Sequence, residues 1–100
     1  MEFVKSVKKM VIVNLIIDFE LLFVFSLKER RKIVNSIKDK LKKFNVSILD
    51  ISGEYPKEAS IAIAFLAHNE KQAGEIKKNI EEFLFKNFPE IEFMFDYEII

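Results

Sequence analysis

The stretch SLKERRKIVNSIKDKLKKFNVS, Ser26 to Ser47, decides the fold, because it holds a helix whose start, apolar side and end are all legible. Ser26, with Glu29 three residues later, has the pattern of a capping box: the serine side chain accepts from the glutamate amide while the glutamate reaches back to the serine amide. At about 100° per residue, Leu27, Ile33, Val34, Ile37, Leu41 and Phe44 gather on one side and most of the lysines take the remainder. Asn45 tolerates left-handed backbone and predicts the stop. Between Lys28 and Lys43 stand eight basic and two acidic residues, a local excess of six positive charges.

On either side of this helix the period of the apolar residues changes from 3.6 to 2. Val11, Val13, Leu15, Ile17, Phe19 and Leu21 alternate with Ile12, Asn14, Ile16, Asp18 and Glu20, a first strand with one apolar and one mixed face. Val46 to Ile51 reads as a second strand, Ser52-Gly53-Glu54-Tyr55-Pro56 as a turn, and Ser60 to Ala67 as a third strand. Asn69 caps a second helix, with Gln72 at the box position, and Pro89 ends it. Glu90 to Ile100 alternates again as a fourth strand. The order βαββαβ, with right-handed crossovers, predicts an α+β fold: a ferredoxin-like sandwich with a four-stranded antiparallel sheet and two helices on one face. Its first and last strands are then neighbours. Asn14, Asp18, Glu20, Glu92, Asp96 and Glu98 are expected to share the helix-free surface. Residues 10–100 read as a single domain, and residues 1–9 as an extension to which no element is assigned.

Composition removes several chemistries. A chain of 100 residues, half of them apolar and eleven of them Phe, is one domain with a well-supplied core. Cysteine is absent, so disulfides and thiolate catalysis are excluded. The apolar run Met10 to Phe25 is short for a bilayer and interrupted by Asp18 and Glu20, which predicts a cytoplasmic protein with no membrane partner. Net charge is zero, yet residues 1–50 carry eleven basic and six acidic side chains and residues 51–100 carry five and ten. The charge is divided along the chain.

Catalytic constellations are missing. His68 is the sole histidine, so a metal site or a triad lacks its second ligand or base. Two glycines, Gly53 and Gly74, cannot build a phosphate-cradling loop. No catalytic residue, cofactor, metal or small-molecule substrate is identified. The acidic sheet face offers oxygen ligands in Asp18, Glu20, Asp96 and Glu98, but period-2 alternation alone accounts for each of them. That face repels phosphate, and the third strand lacks the outward aromatics on which single-stranded RNA stacks.

Three features remain. Lys28, Arg31, Lys32, Lys38, Lys42 and Lys43 form a basic stripe on the first helix, suited to phosphate or simply solvated. Arg30 points toward the apolar side in the first turn: its stem lies along the core with the head on a carboxylate, or its guanidinium grips an anion at the helix start. Leu22, Phe23, Val24 and Phe25 keep a connection apolar where polar residues are expected. They extend the first strand into the core, or they form an interface, most simply with a second copy.

The segment Ser26-Leu27-Lys28-Glu29-Arg30-Arg31-Lys32, followed by Phe44-Asn45-Val46-Ser47, resembles the YlxP-like family, a bacterial domain family of unassigned function. Its pattern after the serine is Leu-Lys-x-Lys-Arg-Arg, so Lys28 and Arg31 match, and Arg30 and Lys32 are conservative changes. The similarity continues through Glu58-Ala59-Ser60 to His68-Asn69. It implies the ferredoxin-like fold and an association with translation or ribosome maturation. Family members carry a His-Gln-Asp-Leu-Trp-Gln-Arg type segment, whereas Gly53 to Glu58 has neither His nor Trp, so that segment's role is not carried over. Two function classes follow: a binding module that meets RNA or a ribosomal particle through the first helix, or a homodimeric scaffold or small-ligand module.

Overall fold

The computed structural model describes residues 9–100, and the expectation for residues 1–8 lies outside the described residues. The elements are β1 (Val11–Glu20), α1 (Leu27–Leu41), β2 (Ser47–Asp50), β3 (Glu58–Ala67), α2 (Glu70–Asn87) and β4 (Phe93–Ile99). They form the ferredoxin-like α+β sandwich. The sheet order is β2-β3-β1-β4 and every pairing is antiparallel, with Leu15 opposite Ile63 on one side and Tyr97 on the other. β1 and β3 are therefore central, and β2 and β4 are the edges.

Alternation along the strands makes the core. Val13, Leu15, Ile17 and Phe19 of β1 and Ile61, Ile63 and Phe65 of β3 face the helix layer and are buried. Val34, Ile37 and Leu41 of α1 and Ala73, Ile80 and Leu84 of α2 close over them. Each large aliphatic side chain so buried contributes about 1.5–3 kcal/mol. Phenylalanines seal the flanks by edge-on contact: Phe44 against Phe83 at 5.4 Å between centroids, and Phe85 against Phe95 at 5.8 Å.

Both helices start as their sequences require. Ser26 Oγ accepts from the Glu29 amide at 3.1 Å, but the Glu29 carboxylate accepts from the serine hydroxyl at 3.2 Å rather than from its amide. Asn69 Oδ1 accepts from the Gln72 amide at 2.8 Å, and Gln72 reaches back to the His68 amide at 2.6 Å, one residue earlier than the standard box. The α-helical part of α1 ends at Leu41. A 3₁₀ turn, Lys42–Phe44, carries the chain on to Asn45, whose φ of 56° is the left-handed stop.

Candidate nucleic-acid interface

The outer face of α1 follows from its burial. With Val34, Ile37 and Leu41 turned inward, Lys28, Arg31 and Lys32 project into solvent and Lys38 is half-buried. Lys38 and Lys42, with Asn35, line a groove between α1 and Val46 and Ile48 at the β2 edge. The eight basic groups of this segment are not equivalent. The Lys40 ammonium stands 5.2 Å from the Phe88 ring and the Lys43 ammonium 3.9 Å from Phe83, so both lean onto α2. Lys42 pairs with Asp39 at 3.1 Å on the open surface. Among the described residues, Lys28, Arg31, Lys32 and Lys38 make no ion pair. On α2, two of the four lysines are paired within the helix, Lys77 to Glu81 at 3.2 Å and Lys78 to Glu82 at 4.0 Å.

Arg30 leaves the stripe altogether. It is 9% exposed, and its guanidinium Nη1 donates to Tyr55 O at 2.8 Å and to Glu58 O at 3.1 Å. The head is satisfied by backbone carbonyls of the β2–β3 connection. This differs from both sequence expectations, a carboxylate partner and an anion grip, because a carbonyl pair satisfies the buried donors without a second charge.

Leu22 to Phe25 also divides. Val24 is fully buried, and its amide closes a turn onto Leu21 O at 3.0 Å. Leu22, Phe23 and Phe25 point out, Leu22 at 69% and Phe25 at 78% exposure. The turn thus sends one residue of the four to the core and three to the surface. Lys57 holds the arrangement: its ammonium donates to Leu22 O at 2.6 Å and Val24 O at 2.9 Å and lies 4.0 Å from the Phe25 ring centroid. Lys57 did not figure among the expected residues, although it is the single basic residue between Ile51 and Glu70.

Asp18, Glu20, Asp96 and Glu98 lie on the helix-free face as expected, with Glu92 just before β4. Asp18 accepts from the Ser60 hydroxyl across the β1–β3 pair. Among the described residues, no group of three or more His, Cys, Asp or Glu side chains is placed to hold a metal ion. His68 is exposed and belongs to no such group. No helix among the described residues is long and apolar enough to cross a membrane.

A two-layer α+β sandwich with βαββαβ order and one basic helix face defines the class. Within it, the chain belongs to the family described as "Protein of unknown function (DUF503)", whose model matches residues 12–97. The chain is similar to a solved protein of unknown function, NE2512 from Nitrosomonas europaea, at 11% identity over 90% of this chain and 89% of that one, with a TM-score of 0.56. It is also similar to the de novo designed protein Foldit4, at 12% identity over 90% of this chain and 97% of that one, with a TM-score of 0.53. At such identities the likeness is one of fold. No curated protein matches the chain.

Proposed function

We propose that the chain is a non-catalytic binding module of the cytoplasm whose α1 face meets RNA or a ribonucleoprotein particle during translation or ribosome maturation. The observation that carries this reading is the clustering on one helix face of Lys28, Arg31, Lys32 and Lys38, none of them in an ion pair among the described residues, whereas Lys77 and Lys78 of α2 are each paired within their helix. Intrahelical partners stabilise a helix, as at Lys77 and Lys78 of α2; a cluster of cations left open is available to phosphate. Lys42, at the groove beside β2, extends the same face. The likeness to the YlxP-like family, taken as the same family, supports the setting in translation. The test is binding to bulk cellular RNA and to ribosomal particles as a function of salt. Four phosphate contacts give a log–log slope of about −3 on single strands. Reversing Lys28, Arg31, Lys32 and Lys38 to Glu abolishes binding, and association that survives the reversal overturns the reading.

A second reading is favoured by one observation, the exposure of Leu22, Phe23 and Phe25 on a turn held in place by Lys57. In this reading the three side chains form the centre of a homodimer. Light scattering at micromolar concentration returns twice the monomer mass if it holds and the monomer mass if it does not.

A further inference from the structure

The open face of the sheet is not uniformly acidic. Strand parity brings Ile12 and Ile16 from β1, Leu49 from β2, Ala62, Ala64 and Leu66 from β3 and Met94 from β4 to this face. Leu49 is 64% exposed, Leu66 60% and Met94 61%, which is more apolar surface than scattered single residues account for. The outward residues of β3 are small through Ser60, Ala62 and Ala64, while Leu49 flanks them on β2 and Ile16 on β1. They floor a trough along β3. At one end of it a cavity is lined by Ile12, Ser47, Ala64 and Leu66. At the other end, a second cavity is lined by Asp18, Glu20, Glu58 and Met94. With Asp96 and Glu98 along β4, the strands place five carboxylates on this face and no Lys or Arg.

We propose that this trough is a docking site for a basic amphipathic helix of a partner protein, its apolar stripe seated on Ala62, Ala64, Leu49 and Leu66 and its Lys or Arg residues reaching Asp96, Glu98, Glu20 and Glu58. Charge selects this occupant. RNA and anionic lipid are repelled by the carboxylates, and a second copy laid face to face sets like charges against each other. The basic α1 of a second copy does not fit, because beyond Leu27 at its start its exposed residues, Lys28, Glu29, Arg31, Lys32, Asn35, Ser36, Asp39 and Lys40, include no apolar stripe. A sheet covered by helices on one side only accepts a third layer. The dimensions match: β1 and β3, each ten residues, run about 33 Å, and a helix of about 18 residues spans about 27 Å. This site is independent of the proposed role of α1.

The experiment uses a fluorescent amphipathic Leu/Lys peptide of about 18 residues, its Leu/Glu counterpart and the full chain. The expected result is saturable binding of the Leu/Lys peptide alone, weakened at least about tenfold by D96K/E98K and again by L49S/L66S. Amide NMR shifts on binding are expected at Ile16, Ala62, Ala64 and Leu66. Charge reversal of Lys28, Arg31, Lys32 and Lys38 leaves the affinity unchanged, which separates this site from the RNA reading. Circular dichroism confirms that each variant stays folded. Equal binding of both peptides, or no loss in D96K/E98K, overturns the proposal. A concentration-dependent dimer with shifts at the same residues assigns the face to a second copy and overturns it too. A gain in affinity on removing residues 1–8 assigns the face to the chain's own first residues, with the same consequence.

Discussion

The helices α1 and α2 cover the same side of the sheet and are built alike, yet their outer surfaces differ. Each is capped by a side chain, Ser26 or Asn69, and each buries three residues, Val34, Ile37 and Leu41 in α1 along with Arg30, and Ala73, Ile80 and Leu84 in α2. Toward the core they are equivalent. Toward solvent, α2 pairs Lys77 with Glu81 and Lys78 with Glu82 one turn apart, whereas among the described residues no lysine or arginine within α1 is paired, and Asp39 pairs with Lys42 of the following turn. Helix stability does not require the α1 arrangement, since like charges spaced one turn apart disfavour a helix slightly. The charge of α1 is therefore better understood as a property of the surface than of the helix.

The strongest way to break the equivalence on the core side is truncation. Ile37→Ala in α1 and Ile80→Ala in α2 each remove a fully buried side chain and are expected to cost about 3 kcal/mol by urea unfolding. Values differing by more than about 1 kcal/mol would show that one helix packs on a looser part of the core. Arg30→Leu comes next and has no counterpart in α2. It removes the guanidinium donor from the Glu58 carbonyl and one of the two donors of the Tyr55 carbonyl, which keeps the Glu58 amide, and should cost about 2 kcal/mol, while the neighbouring Arg31→Leu stays within about 0.5 kcal/mol. The caps should agree with each other: Ser26→Ala and Asn69→Ala each lower stability by about 1 kcal/mol in thermal unfolding. The smallest effects sharpen the comparison most. Lys77→Met loses its half-buried pair with Glu81 and about 0.5 kcal/mol, whereas Lys28→Met leaves stability unchanged or slightly raised.

What was legible before the structure was whatever the chain writes locally. Ser26 and Asn69 as caps, Asn45 as a left-handed stop and Pro89 as a terminator each act within a few residues of themselves, so composition and spacing display them. Strand alternation located all four strands, though β3 begins at Glu58 rather than Ser60 and β4 at Phe93 rather than Glu90. The partners of Arg30 were not legible, because carbonyl oxygens 25 and 28 residues away belong to every residue type equally. The division of Leu22 to Phe25 depends on the turn that Val24 closes, and four apolar residues in a row give no sign of which one is inside. The open face was half legible: β1 and β4 declare its carboxylates, but its apolar trough exists only once β2 and β3 are set beside them.

The sheet order β2-β3-β1-β4 has a consequence for how the chain comes into being. β1 precedes every other strand, yet both strands that flank it, β3 and β4, come from residues 58–99. While the chain is being synthesised, β1 has two unpaired edges until β3 emerges, and its second edge is paired only after β4 has followed. Formation of the sheet is dominated by contacts distant in sequence, which slows folding relative to a helical protein of this length. A cut between Asp50 and Glu58 is expected to leave two fragments that are unstructured alone and fold only on meeting.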